Sequence, residues 1–105
     1  MLFRSDSLKQ YQEVLKTEPQ NVSAQVGVAK VTSWNNDLPG ALRLYDAVLA
    51  KYPTNYDARV GKAFTLMWLK RDDEARKLFQ AAAHEHPGDQ EVAAALLKLS
   101  QPRSP

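Results

Sequence analysis

Apolar and polar positions alternate along this chain with a helical period, and prolines interrupt the pattern at regular intervals. Gln10, Tyr11, Val14 and Leu15, led by Ser7, fall on one helical face and predict a helix over residues 5–17, with Ser5 as its cap. Pro19 then turns the chain. Residues 22–34 carry apolar or small side chains nearly all round: Val22, Ala24, Val26, Gly27, Val28, Ala29, Val31 and Trp34. A helix of that kind is enclosed by neighbours on several sides. Asn21 is placed to cap it, Asn36 suits a left-handed residue after it, and Asp37 suits the cap of the next. With Pro39 in its first turn, that third helix reaches Lys51 and buries Ala41, Leu44, Tyr45, Val48, Leu49 and Tyr52. A fourth, capped by Asn55, reaches Leu69. A fifth opens on Asp72-Asp73-Glu74 with Ala75, Leu78, Phe79 and Ala82 inward. The sixth, Gln90 to Leu99, follows the break at Pro87-Gly88, is capped by Asp89, and has Val92, Ala93, Leu96, Leu97 and Leu99 apolar.

The pattern repeats at a fixed step. Pro19, Pro53 and Pro87 are evenly spaced at an interval of 34, and Tyr11, Tyr45 and Phe79 keep the same interval, as do Gly27 and Gly61. Such self-similarity marks helical repeats, each unable to bury its apolar face without a neighbour. A glycine inside a helix costs roughly 1 kcal/mol against alanine. Its return one period later therefore points to a packing or groove requirement. The fold class is all-α: an α-solenoid of antiparallel helix pairs with about six helices. It divides into a half repeat (5–21), two repeats (22–55 and 56–89), a capping helix (90–99) and a disordered tail (100–105). Residues 1–4 enter the pattern mid-unit and read as non-native or disordered.

Composition narrows the function classes. Of 105 residues, 44% are hydrophobic and 25% charged, as in ordinary soluble domains, and the formal net charge is only +2 with no basic stripe. Nucleic acid is not an expected partner. With no cysteine, disulfides and thiolate chemistry are excluded. No apolar run approaches a membrane-spanning length, so no direct membrane insertion is expected; the composition fits a soluble protein of either cytoplasm or periplasm. His84 and His86 lie about 200° apart around a helix and do not converge on one metal. Asp72-Asp73-Glu74 reads as a capping cluster. No phosphate-binding glycine loop and no nucleophile with a partner base stands out, so neither catalysis nor a cofactor is expected.

The recurring residues resemble the tetratricopeptide repeat, a helix–turn–helix of about 34 residues. Ala29 and Ala63 match the small residue of its first helix, and Ala41 and Ala75 the alanine of its second, with Ser7 as a stand-in. Tyr11, Tyr45 and Phe79 match its aromatic, Val48 and Ala82 its next small position, and the three prolines its close. The resemblance covers residues 5–99. It departs at the family's early tryptophan, held here by Gln25 and Arg59, while Trp34 and Trp68 close the first helices. That variant is also similar to arrays of bacterial cell-envelope and polysaccharide-export proteins, which implies an alternative role as structural spacer or scaffold within a larger chain.

The resemblance implies a right-handed superhelix with the first helices lining a concave face and binding a protein or peptide. The candidate groove residues are Val26, Gly27, Lys30, Trp34, Val60, Gly61, Phe64, Met67 and Trp68. Glycines leave room for a ligand there, and tryptophan, phenylalanine and methionine supply contact area. The tryptophans can equally close the packing of their own repeats, and Phe64 can equally belong to the core. Some members of the family clamp chaperone C-terminal carboxylates with basic residues. The matching positions here, Val26, Lys30, Gly61, Glu91 and Ala95, hold one cation and one carboxylate, which excludes that mechanism. The incomplete first repeat leaves the face around Tyr11 and Val14 open to weak self-association.

Overall fold

The caps place the helices. In the computed structural model, which describes residues 2–100 and the side chains from residue 8 onward, six helices follow one another. They are α1 (Leu2–Thr17), α2 (Val22–Trp34), α3 (Leu38–Lys51), α4 (Tyr56–Trp68), α5 (Asp72–Glu85) and α6 (Gln90–Ser100). Asn21 accepts from the Ala24 N–H at 2.9 Å, Asp37 from Gly40 at 3.0 Å and Asn55 from Ala58 at 2.8 Å. Each satisfies an N–H that has no partner inside its helix. Arg71, at the same place before α5, makes no side-chain cap; its guanidinium pairs with Glu74 at 2.8 Å instead.

The turns inside the repeats are built alike. Asn36 (φ 70°) and Lys70 (φ 68°) are left-handed. The N–H groups of Asn36 and Asp37 bond the carbonyls of Ser33 and Thr32, and those of Lys70 and Arg71 bond Met67 and Leu66. These are Schellman closures, which satisfy the last carbonyls of α2 and α4.

Each helix packs on the next, and α2 also touches α4 across the intervening α3. Two buried clusters result, and the second repeats the first one period on. Ala29, Ala41, Tyr45, Val48 and Ala58 join α2, α3 and α4; Ala63, Ala75, Phe79, Ala82 and Val92 join α4, α5 and α6. Small residues at the crossings let the helices approach closely, and one aromatic per repeat fills the space between them.

Some boundaries and faces differ from expectation. The α1 helix begins at Leu2, ahead of Ser5, so Ser5 stands inside it. Ser100, placed in the tail, closes α6 with its hydroxyl on the Leu96 carbonyl at 2.7 Å. Residues 1 and 101–105 lie outside the described residues, as does the side chain of Ser7. Leu44 of α3 and Tyr52, which follows that helix, are exposed, and Leu97, one of the apolar residues of α6, is 64% exposed. Only Val92 and Ala95 of α6 are fully buried, because α5 alone packs substantially against it.

Candidate functional site

Helices α2, α4 and α6 stand one period apart, so residues separated by that period occupy equivalent places on their shared face. That face encloses an open cavity of about 450 Å³. Eight of the nine expected residues line it: Val26, Gly27, Lys30 and Trp34 from α2, and Val60, Gly61, Phe64 and Trp68 from α4. The ninth does not. Met67 packs against the α4–α5–α6 cluster, because one residue's step of about 100° from Trp68 turns it toward the core.

The glycines form the floor for a reason other than ligand access. A Cβ on Gly27 would come closer than 3.0 Å to three ring atoms of Tyr11, and one on Gly61 closer than 3.0 Å to the ring and hydroxyl of Tyr45. Each glycine seats the tyrosine of the preceding outer helix, and both tyrosines reach the cavity from below. One period on, the pair is Phe79 and Ala95, both in one buried cluster. The shorter aromatic accompanies the residue that carries a Cβ. Burial, reinforced by the Asp57 charge, pushes the Tyr45 hydroxyl up to about 12.

Trp34 and Trp68 stand at the C-terminal ends of their helices on the cavity's rim, each 45% exposed. Trp68 leans on Phe64, ring centroids 5.8 Å apart, and Phe64 meets Phe79 edge-on at 4.9 Å. Phe64 therefore serves both readings, with one side in the core and the other on the cavity.

At the opposite rim lie the N-terminal ends of the helices. Asp89 receives the Tyr56 hydroxyl at 2.7 Å on one oxygen and caps α6 with the other, accepting from Glu91 and Val92. His86 meets the Tyr56 ring edge-on at 4.2 Å, and Arg59 forms a fork with Glu85. The Tyr56 hydrogen bond and the cap hold the Asp89 carboxyl below its ordinary value. Loss of solvent first, then Asp89, pushes Tyr56 up to about 12. A carboxylate depressed in the native state adds stability above its unfolded pKa, and the contribution fades as pH falls below about 4. The raised tyrosines act in the other direction: their contribution is full below about pH 10 and is lost as pH rises toward about 12. In Tyr56→Phe the Asp89 carboxyl should titrate at higher pH, read by NMR of its side-chain carbon. An unchanged midpoint would mean that the cap alone sets it.

Among the cavity residues, sequence reasoning missed Tyr11 and Tyr45, and also Ser23, Tyr56, Asp57, Asp89 and Glu91. The constant offset from Tyr11 to Gly27 and from Tyr45 to Gly61 was the available signal for the first two. Among the described residues no group of three histidines and carboxylates could hold a metal, and no helix is long and apolar enough to cross a membrane.

The same architecture occurs in solved structures. The chain superposes on the crystal structure of the P58(IPK) TPR domain with a TM-score of 0.81 and 26% identity, covering 91% of this chain and 28% of that one. It superposes on MamA AMB-1 with a TM-score of 0.69 and 23% identity, covering 88% of this chain and 54% of that one. The chain thus spans about a quarter and about half of these two longer chains. No curated protein matches it in sequence. The tetratricopeptide repeat profile matches residues 35–99, which takes in both aromatic–small seats of the second and third inner helices. With that match, the periodic recurrence of its buried alanines and the paired helices, the chain belongs to the tetratricopeptide repeat family.

Proposed function

We propose that the chain is a non-enzymatic interaction module that docks a peptide or partner helix of another protein along the concave face of α2 and α4. One observation carries this reading: Trp34 and Trp68, one period apart on the rim of one cavity, both remain nearly half exposed. Large amphipathic rings held at a concavity on rigid helices are the side chains from which docking hot spots are made. Two hydroxyls nearby are engaged structurally. Ser33 donates to the Lys30 carbonyl at 2.7 Å and Thr65 to that of Gly61 at 2.8 Å, so neither is set as a nucleophile.

The test compares wild type with the Trp34→Ala/Trp68→Ala variant on a peptide array. Binding should weaken by at least about ten-fold, since truncating a hot-spot aromatic costs about 2 kcal/mol or more. Phe64 is the wrong residue to remove, because its contact with Phe79 would couple binding to stability. If both proteins bind the same peptides equally, the groove reading fails and the repeats revert to the role of spacer.

A further inference from the structure

We propose that the groove selects a segment that is apolar along one edge and basic along the other. This rests on the docking reading above and names the chemistry of its occupant. Residues one period apart on the concave face form ladders of different character. Trp34 and Trp68 make one rim aromatic. At the other rim, Ser23, Asp57 and Glu91 occupy equivalent places at the N-terminal ends of α2, α4 and α6, and all three line the cavity. Two of the three rungs are carboxylates.

The charges do not cancel within the groove. The ionised side chains lining it are Lys30 on one side of the balance and Asp57, Asp89 and Glu91 on the other. Asp89 is committed to the Tyr56 hydroxyl and to the α6 cap. Asp57 and Glu91 have no ion pair among the described residues, although carboxylates elsewhere do: Asp46 with Lys62, Asp73 with Arg76, Glu74 with Arg71 and Glu85 with Arg59. A chain with a formal charge of +2 thus presents a net negative concave face. An acidic first-turn residue favours its own helix dipole, which explains one such side chain per helix. It does not explain why the two carboxylates face one cavity across from two half-exposed tryptophans. A ligand cation placed there meets negative charge that no ion pair among the described residues offsets, while the apolar edge of the same segment meets the aromatic rim. Lysine or arginine on the opposite edge then fixes its orientation, which is how complementary charge confers specificity at a wet rim.

A random-peptide display library, selected on wild type and on Asp57→Asn/Glu91→Gln, tests this. Wild type should enrich peptides that combine apolar residues with lysine or arginine. A selected peptide should bind the double variant about ten-fold more weakly, and should lose affinity to wild type as salt is raised. Its lysine/arginine-to-glutamine twin should bind both proteins alike. Thermal melts of both proteins check that the variant is folded. Selected peptides without positive charge, or a basic peptide that binds both proteins equally, overturn the inference. If such uncharged peptides still lose binding in Trp34→Ala/Trp68→Ala, the docking groove stands and only its charge preference falls. If the library yields no binder, both fall together.

Discussion

Phe79→Ala should lower the unfolding free energy by about 3–5 kcal/mol, the largest effect expected of any single truncation in this chain. Phe79 is fully buried and sits where three helices meet, with Ala63 and Leu66 of α4, Ala75 and Ala82 of α5, and Val92 and Ala95 of α6 around it. Most of those neighbours are alanines, which have no side-chain length with which to fill the void. The loss therefore includes the cavity as well as the transfer of the ring. A domain of this size commonly holds about 5–15 kcal/mol in total, so the variant forfeits a large share. Denaturant titration should show a lower midpoint with an unchanged slope. Trp68 would report the same event locally, since Phe64 lies between it and Phe79. Leu97→Ala is the counterpart, a large aliphatic on an exposed place, and should move stability by no more than about 0.5 kcal/mol. Equal effects for the two would mean that α6 is covered in solution.

How much of this was legible in the residues follows from how local each feature is. The caps at Asn21, Asp37, Asn55 and Asp89 were readable because each acts on N–H groups only a turn away. The left-handed Asn36 was readable from its type, whereas Lys70 was hidden: a lysine has no preference for that conformation, and only its place one period after Asn36 gives it away. The buried alanines were legible because a fixed period repeats them. Exposure at the edges was not. Leu44, Tyr52 and Leu97 sit on apolar stripes, but a stripe shows only which face could be covered, and the neighbouring helix decides how much is. The site divides in the same way. Eight of the nine residues expected from the shared face of the inner helices line the cavity, and Met67 fell on the other side of a narrow boundary, next to Trp68. The Tyr56–Asp89 bond joins the first residue of α4 to the cap of α6 and depends on how those helices meet, which no single-helix pattern contains.

The glycines show most clearly how the repeat geometry corrects a local reading, and they supply the second large effect. On helix propensity alone, Gly61→Ala should stabilise α4 by about 1 kcal/mol. The added Cβ, however, would press on the Tyr45 ring and hydroxyl, and Tyr45 is only 2% exposed, so the ring has little room to retreat. Overpacking of this kind costs about 1–3 kcal/mol and should outweigh the propensity gain, leaving Gly61→Ala less stable than wild type. The Phe79–Ala95 pair shows that a shorter ring coexists with a Cβ one period later. Tyr45→Phe should therefore recover part of the loss when combined with Gly61→Ala. A double-mutant cycle in denaturant should give a coupling of about 0.5–2 kcal/mol in favour of the pair. Strict additivity would show that the hydroxyl plays no part in excluding the Cβ. A stabilised Gly61→Ala would show that the tyrosine ring yields, and that the glycines serve the groove above them after all.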